Sequence, residues 1–417
     1  MNTINPILKW WVTPKLPYHD VFELPFLKNK NIFGIVRHVI SQWLAHPVKR
    51  RLARGYLKIL QRYTDIKVIA VTGSAGKTTT IQMLASILNL SGKTVWSKEG
   101  VDSVYNIPNT ILRIPWGAKF LILEMSVEYL GEMDFYLWLS RPDIGVITNI
   151  YPTHTLFFGD TGGVFREKSK LVNGLSKEGI AVLNNEDKFL TKLKGKAKTK
   201  TLWFGNDTHV MSSQEKFTSD FKTEFLLILD QNSRKKIKIS LPVFGKQFIG
   251  NALAAAAVAY ALRVDVDKIR NGLTNYDAPP HRMRVIKHAS GAIIIDDSYN
   301  SSPRAAIEAL STLEELQGEK VIIFGDMLEL GRWEEKYHRE LGEYIGKAGV
   351  ANLICVGHAS EVTARTAARI LGQERVLVVP NWKEAVKPAK KLLREGIIVL
   401  VKGSRSVGLD NLIARLS

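Results

Sequence analysis

The sequence predicts an α/β protein in which a central domain with a mostly parallel sheet precedes a C-terminal Rossmann-like α/β domain. Apolar runs typical of buried strands alternate with helical patterns through residues 65–282, and the alternation resumes through residues 283–417. A glycine-rich segment lies between the first strand and the first helix of the central region, where phosphate-binding loops occur. Residues 1–64 form a short basic segment ahead of both domains.

Length and composition agree with this division and exclude several kinds of protein. A chain of 417 residues with 45% hydrophobic residues has enough material for two or three domains, each with its own core. The single cysteine, Cys355, excludes a disulfide framework and a cysteine-rich metal site. The sequence has neither an apolar run of membrane-spanning length nor a signal-peptide pattern, so we expect a cytoplasmic protein.

The net charge of +18 gives the protein a positive field that attracts anions. Residues 1–64 are interrupted by Pro14, Pro17, Pro25 and Pro47, which predicts a short capping segment with one or two helices. In it, basic residues follow aromatic ones: Lys49, Arg50, Arg51, Arg54, Lys58 and Arg62 come after Trp10, Trp11, Phe33 and Trp43. Two interpretations stay open, namely a solvated basic face whose tryptophans pack on the next domain, and an amphipathic segment in peripheral contact with an anionic membrane.

The elements of the central region follow from the apolar pattern. A strand is predicted from Ile66, and a helix is predicted after Gly76 and through Leu90. Further strands are predicted at residues 119–124, 144–149 and 180–184. Polar and apolar residues alternate from Ser213 to Ser240, which predicts an antiparallel hairpin at the edge of the sheet.

The C-terminal region has the pattern of a nucleotide-type α/β fold. Strands are predicted at residues 292–296, 320–324, 352–356, 375–379 and 397–401, and helices are predicted to begin at Pro303, Lys336, Glu361 and Lys383. The second domain is therefore expected to have its own sheet.

The segment Thr72–Thr80, TGSAGKTTT, is typical of a phosphate-binding loop. Its backbone N–H groups can surround a polyphosphate, while Lys77 reaches the β- and γ-phosphates and Thr78 offers a hydroxyl to Mg²⁺. Val71 stands where the full Walker spacing has glycine, so the loop is a shortened form. Phosphate binding alone fits kinases, GTPases and ligases equally. The expected ATP-binding residues here are Gly73, Ser74, Ala75, Gly76, Lys77, Thr78 and Thr79.

This loop resembles the ATP loop of the Mur ligases, which implies a P-loop ATPase domain that binds ATP and Mg²⁺. Leu123–Ser126 resembles the family segment whose glutamate holds Mg²⁺, here Glu124. Ile147–His154 resembles the strand end whose histidine binds a second Mg²⁺, here His154. The resemblance therefore implies that these side chains organise metal beside the transferring phosphate.

A third segment, Arg166–Lys170, falls where the family carries a lysine carbamylated by CO₂, here Lys168. The carbamate is an anion that can orient a metal near the phosphate. Lys170 stands where the family usually has glutamate. The implied metal ligands are Thr78, Glu124, His154 and Lys168.

Two later segments resemble the rest of the family's nucleotide site. Phe244–Asn251 resembles the glycine-to-asparagine segment, which places Asn251 near the nucleotide. His281–Arg284 resembles the hinge into the last domain, and Arg282 matches an arginine that contacts the ATP phosphates. The resemblance gives catalytic roles to Lys77, Lys168, His154, Glu124 and Arg282.

Three C-terminal segments resemble the branch of the family that adds D-alanyl-D-alanine: Asp296–Pro303, Gly325–Gly331 and Lys402–Ser406. In this branch Asp297 corresponds to the residue that binds the ATP ribose. The implied substrate-binding residues are Tyr299, Asn300, Ser301, Lys402, Ser404 and Arg405.

The resemblance implies an ATP-dependent ligase that joins D-alanyl-D-alanine to a UDP-muramyl-tripeptide-type carboxylate through an acyl phosphate. It covers residues 65–417, and the short basic start has no room for the family's N-terminal UDP-binding domain. Two alternatives therefore remain: a Mur-type ligase for another acceptor, such as an amino-acid polymer or lipid-linked precursor, and a non-catalytic ATP-binding protein at the membrane. We expect small-molecule substrates and no nucleic acid partner.

Overall fold

The computed structural model describes residues 31–229 and 235–416 and confirms the α/β fold class. A large, mostly parallel sheet and a second, smaller sheet are each covered by helices. Within the described residues, the first sheet has the order β2-β3-β1-β4-β5-β6-β7-β8-β9. Its strands are β1 (Lys67–Thr72), β2 (Thr94–Trp96), β3 (Phe120–Glu124), β4 (Ile144–Ile147), β5 (Ile180–Asn184), β6 (Lys200–Phe204), β7 (Val210–Phe217), β8 (Thr223–Leu229) and β9 (Lys235–Leu241).

Pairing in the first sheet is parallel from β2 through β7 and antiparallel from β7 through β9. The antiparallel hairpin predicted for residues 213–240 is therefore present as a three-stranded edge. Its side chains alternate between buried and partly buried positions because one face covers the core, as in β8.

Helices flank this sheet and fix the ends of the functional loops. Asp160, for example, caps one of them by accepting a hydrogen bond from Gly163 N at 2.8 Å. The helices are α1 (Ile32–Val39), α2 (His46–Tyr63), α3 (Lys77–Asn89), α4 (Ser103–Leu112), α5 (Glu132–Leu139), α6 (Thr155–Phe158), α7 (Thr161–Asn173), α8 (Gln247–Ala261) and α9 (Val266–Thr274).

The second sheet has the order β10-β11-β15-β12-β13-β14 in the described part of the chain, with β10 antiparallel and the others parallel. Its strands are β10 (Arg284–Lys287), β11 (Ile293–Asp297), β12 (Glu319–Gly325), β13 (Asn352–Val356), β14 (Val376–Val379) and β15 (Ile397–Lys402). Its helices are α10 (Pro303–Glu314), α11 (Glu334–Lys347), α12 (Ser360–Leu371), α13 (Trp382–Leu392) and α14 (Leu409–Leu416). Short 3₁₀ turns connect elements of this domain at Gly331–Trp333, Gln373–Arg375 and Arg405–Val407, and another connects β5 to β6 at Leu190–Leu193.

Residues 32–63 of the basic N-terminal region form one helical rod, in which a π-helical stretch at Ile40–Ala45 joins α1 to α2. Ala53, Leu57 and Leu60 are fully buried in the core of the central domain. The guanidinium of Arg50 lies 5.6 Å from the ring centre of Phe135, and that of Arg54 lies 4.7 Å from Trp138. Part of the basic segment is thus packed on the central domain.

The rest of that rod presents apolar and basic side chains to solvent. Lys49 and Lys58 are among the exposed basic residues. No described helix is both long and apolar enough to span a bilayer. Trp10, Trp11 and the side chain of Trp43 lie outside the described residues. The exposed apolar residues are Ile32, Phe33, Val36, Val39, Ile40, Leu44, Val48, Leu52, Ile59 and Tyr63.

Candidate active site

The phosphate loop joins the carboxyl end of β1 to the start of α3. Two residues that directly follow β4 hold its backbone. Asn149 Oδ1 accepts a hydrogen bond from Ala75 N at 2.8 Å, and Thr148 Oγ1 donates to Ala75 O at 2.6 Å. Lys77 Nζ donates to Gly73 O at 3.0 Å, which places the lysine side chain over the loop. The N–H groups at the start of α3 are therefore positioned to bind an anion.

Gly76 has φ +80°, and a Cβ there would lie 2.1 Å from Asn251 Oδ1. The side chain of Asn251 on α8 thus lies directly against the loop, in the space that a larger residue at position 76 would fill. We expect Gly76→Ala to lower ATP affinity on the order of tenfold, since each displaced hydrogen bond to a charged phosphate is worth about 1.5–3 kcal/mol. Titration calorimetry with ATP measures this change.

Gly117→Ala is the matched control, because Gly117 has φ +88° and nothing lies within 4 Å of a Cβ there. Both variants lose about 1–2 kcal/mol of folding stability through the left-handed backbone. ATP affinity should fall only in Gly76→Ala, and an equal fall in both variants would contradict a specific role of the Gly76–Asn251 contact.

Glu124, at the end of β3, lies directly beside the loop. Thr78 Oγ1 donates to Glu124 Oε2 at 3.1 Å, and Ser126 Oγ donates to Glu124 Oε1 at 3.1 Å. Burial lowers the pKa of Lys77, the Glu124 carboxylate opposes this change, and Arg282 adds to it. The lysine, the carboxylate and the hydroxyl predicted from the sequence thus meet in one place.

Lys168 lies on α7 and is 1% exposed. Burial lowers the pKa of its amine well below the ordinary value, and the positive charge of Lys77 lowers it further. Lys170 lies near the surface instead, with its Nζ 2.7 Å from Asp134 Oδ2 and 2.8 Å from Glu167 Oε2. The two lysines of this segment therefore have opposite environments on one helix.

Arg282 approaches the phosphate loop from the connection that precedes β10. Its Nη2 donates to Thr78 Oγ1 and to Glu99 Oε1, both at 3.3 Å, and its guanidinium lies 4.0 Å from the ring centre of Tyr299. The residues on either side, His281 and Met283, have φ values of 58° and 51°. This connection thus contains strained backbone at the point where the two domains meet.

The loops at the carboxyl ends of β11 and β15 form the opposite wall. Lys402 Nζ donates to Asp297 Oδ2 at 2.5 Å and to Asn300 O at 3.1 Å. Burial raises the pKa of the Asp297 carboxyl, and Lys402 opposes that rise. Ser301 Oγ is buried without a hydrogen-bond partner in the described structure, so this hydroxyl has capacity to bind a substrate.

His154 is paired across the two domains. Its Nδ1 donates to Glu329 Oε2 at 2.5 Å, and this hydrogen bond lowers the pKa of the Glu329 carboxyl. The backbone strengthens the contact, since Leu156 N donates to Glu329 O at 3.1 Å and Thr155 Oγ1 donates to Leu330 O at 3.0 Å. Glu329 was not singled out from the sequence, because its partner is 175 residues away and no local pattern marks it.

A cavity of about 1290 Å³ lies between the two walls. Most predicted site residues line it, whereas Gly73 and Lys168 lie behind its surface. In the described ranges no three His, Cys, Asp or Glu side chains cluster as a metal site. The predicted residues that line the cavity are Ser74, Ala75, Gly76, Lys77, Thr78, Thr79, Glu124, His154, Asn251, Arg282, Asp297, Tyr299, Asn300, Ser301, Lys402, Ser404 and Arg405.

Comparison with known proteins agrees with this geometry. Residues 71–259 match the Mur ligase middle domain, and residues 281–405 match the Mur ligase, glutamate ligase domain. The UDP-N-acetylmuramoyl-tripeptide–D-alanyl-D-alanine ligases of Escherichia coli and Bacillus subtilis are each 30% identical over 88% of this chain, which covers 80% and 78% of their lengths. The crystal structure of MurF from Acinetobacter baumannii is 27% identical, with a TM-score of 0.81 over 89% of this chain and 80% of that one. The chain therefore belongs to the Mur ligase family of ATP-dependent peptide ligases.

Proposed function

We propose that this protein uses ATP to join D-alanyl-D-alanine to the carboxylate of a UDP-muramyl-tripeptide-type acceptor, in peptidoglycan precursor synthesis. The relatives named above carry this activity in their names. One observation supports the proposal most directly: the phosphate loop faces the C-terminal loops across a single cavity, and Arg282, at the boundary between the two domains, donates a hydrogen bond to Thr78 of the phosphate loop. We assign residues 1–64 to the N-terminal segment, 65–282 to the ATP-binding domain and 283–417 to the C-terminal ligase domain.

The chemistry consists of two transfers. A carboxylate oxygen of the acceptor attacks the γ-phosphorus of ATP, and ADP leaves, so that an acyl phosphate forms. The dipeptide amine then attacks the acyl carbon, the C–O bond to phosphate breaks, and inorganic phosphate and a proton are released. Lys77 and Arg282 neutralise charge on the transferring phosphoryl group, and the enclosing walls limit the access of water to the acyl phosphate.

The donors beside the phosphate loop fit Mg²⁺. Thr78 and Glu124 offer a hydroxyl and a carboxylate 3.1 Å apart, which are the hard oxygen ligands that this ion accepts together with phosphate oxygens. His154 is proposed as a ligand of a second ion. Bound Mg²⁺ supplies charge neutralisation and orientation of the phosphates.

Lys168 is proposed to carry a carbamate. Its burial lowers the pKa of the amine and so favours the neutral form that adds to CO₂, and the neighbouring positive charge of Lys77 favours the resulting anion. The carbamate would replace a buried neutral amine by an anion that the Lys77 cation attracts.

Phosphate release in the presence of ATP tests the substrate assignment. With UDP-muramyl tripeptide as acceptor, D-alanyl-D-alanine is expected to give sustained release at least about tenfold above single amino acids such as glutamate. Phosphate release only with another acceptor, such as a lipid-linked precursor, would support the ligase reaction but reject UDP-muramyl tripeptide as the acceptor. No ATP-dependent release under any condition would favour the non-catalytic alternative.

We further propose that the N-terminal rod contacts an anionic membrane. Phe33 and Leu52 are 80% and 60% exposed, and they lie on the rod that also exposes Lys49 and Lys58. Apolar insertion and basic attraction act together at such a surface, with each basic residue worth roughly 1 kcal/mol.

Vesicle flotation of the full chain tests this contact. We expect flotation with phosphatidylglycerol vesicles and loss of flotation when Phe33, Leu44 and Leu52 are replaced by glutamate. Leu377→Glu is the control, because Leu377 is 41% exposed on β14 of the other domain. Equal flotation of the triple variant and the control would reject the membrane contact.

A further inference from the structure

The loop between β12 and α11 holds Glu329 rigidly at the meeting point of the two domains. Ser404 Oγ accepts a hydrogen bond from Leu328 N at 3.0 Å, and His338 Nε2 accepts one from Met327 N at 3.1 Å. Glu329 itself has φ 64°, and its partner His154 has φ 53°. Left-handed backbone at two non-glycine residues in contact is costly, and such strain is found where a site must hold a side chain in one position.

The charge of Glu329 is less fully compensated than that of the other C-terminal carboxylates in the cavity. Asp297 is paired with Lys402 at 2.5 Å, and Glu308 is paired with Arg304 at 3.1 Å. Glu329 contacts no lysine or arginine among the described residues, and its hydrogen bond to His154 uses Oε2 alone. Its side chain is 48% exposed, so Oε1 can accept a hydrogen bond from a cation that enters the cavity.

The segment that carries Glu329 is linked to the segment that carries a cationic residue of the same cavity, Arg405. Leu328, which precedes Glu329, is bonded to Ser404, which precedes Arg405. Arg405 lines the same cavity, and its guanidinium lies 5.5 Å from the ring centre of Tyr299. Its Nη1 pairs with Asp410 Oδ2 at 3.3 Å, and the side chain is 57% exposed, so the other guanidinium nitrogen atoms can donate to a carboxylate that enters the cavity. Glu329 and Arg405 thus each directly follow one partner of the hydrogen bond between Leu328 N and Ser404 Oγ.

A free dipeptide has the complementary pattern, with an ammonium at one end and a carboxylate at the other, separated by roughly 7 Å of chain. We propose that Glu329 binds the ammonium of the incoming dipeptide while Arg405 binds its carboxylate, an inference that rests on the proposed ligase function. The contact with His154 places this amine beside the wall that carries the phosphate loop. Glu329 is therefore a determinant of amine binding and not of acceptor phosphorylation.

Hydroxylamine separates these two half-reactions. It is uncharged at mildly alkaline pH and traps an acyl phosphate as a hydroxamate, so it needs no anionic group to bind it. With ATP and UDP-muramyl tripeptide, Glu329→Gln is expected to form hydroxamate within about twofold of the wild-type rate. Its KM for D-alanyl-D-alanine should rise about ten- to hundredfold, the range for loss of a hydrogen-bonded charge.

Two comparisons sharpen the test. Glu335→Gln is the control, because Glu335 is a 76% exposed carboxylate on α11, outside the residues that line the cavity, and both activities should remain at wild-type levels. Propionyl-D-alanine has the shape of the dipeptide without its ammonium, so its inhibition constant should be the same for wild type and Glu329→Gln.

An unchanged dipeptide KM in Glu329→Gln would overturn the inference. A parallel fall in hydroxamate formation would also overturn it, because Glu329 would then act on phosphorylation through His154. Absence of hydroxamate from the wild-type protein, with no phosphate release, would instead reject the proposed ligase function on which the inference rests.

Discussion

Lys77→Ala is expected to reduce ATP-dependent phosphate release by about a thousandfold, the effect of removing a preorganised cation from a transferring phosphoryl group. Lys77 begins α3 and donates to Gly73 O at 3.0 Å, while Glu124 and Arg282 lie close enough to influence its charge. Because burial already disfavours this ammonium, it gains more from an incoming polyphosphate than an exposed lysine would. Coupled detection of inorganic phosphate measures the loss.

The control for this variant is Lys93→Ala. Lys93 is an exposed lysine just beyond the opposite end of α3, so the variant removes the same charge without touching the loop. Phosphate release should stay within about twofold of wild type. A Lys77→Ala protein that folds and turns over normally would remove the phosphate loop from the mechanism.

Lys168→Ala is expected to lower the rate about a hundred- to thousandfold, because it removes both a buried group beside Lys77 and the anion proposed to form on it. Depleting CO₂ from the wild-type protein should lower activity in the same direction. Small carboxylates such as acetate should partly restore the alanine variant, since an anion can occupy the space that the side chain leaves.

Lys170→Ala separates this role from a general effect on α7. Lys170 is two residues away, is itself partly exposed, and pairs with the exposed Asp134 and the buried Glu167. It does not line the cavity, so we expect a rate close to wild type and no response to CO₂. Carbon-13 NMR with labelled bicarbonate adds a readout independent of turnover, with a carbamate signal in wild type and in Lys170→Ala but not in Lys168→Ala. A wild-type spectrum without that signal would contradict carbamylation.

The strands were predictable because buried parallel strands are continuous apolar runs. The run predicted at residues 352–356 is β13, and the run predicted at 397–401 is β15, which ends one residue later at Lys402. The edge of the first sheet was less predictable, since the alternation in residues 213–240 gives the face of each strand but not the number of strands. The fold class and the family were predicted from the sequence, and both are confirmed.

The sequence indicated residues that line the cavity where a local segment carries the chemistry. The spacing of Gly73, Gly76 and Lys77 specifies a loop whatever lies far away in sequence, and Glu124 follows a buried strand whose end must face that loop. The roles assigned to these residues remain predictions. The contact of His154 with Glu329 could not be predicted in this way, because it depends on how the two domains meet. The one available signal was the Gly325–Gly331 segment, which the sequence pattern marks without indicating which residue faces the cavity.

Oxygen transfer tests the acyl-phosphate mechanism most directly. The acceptor tripeptide is labelled with ¹⁸O in its terminal carboxylate, and the inorganic phosphate released with D-alanyl-D-alanine is analysed by mass spectrometry. If the carboxylate is phosphorylated and then captured by the amine, each phosphate carries one oxygen from the acceptor. Phosphate without the label would show that ATP is hydrolysed by water and would contradict the proposed mechanism.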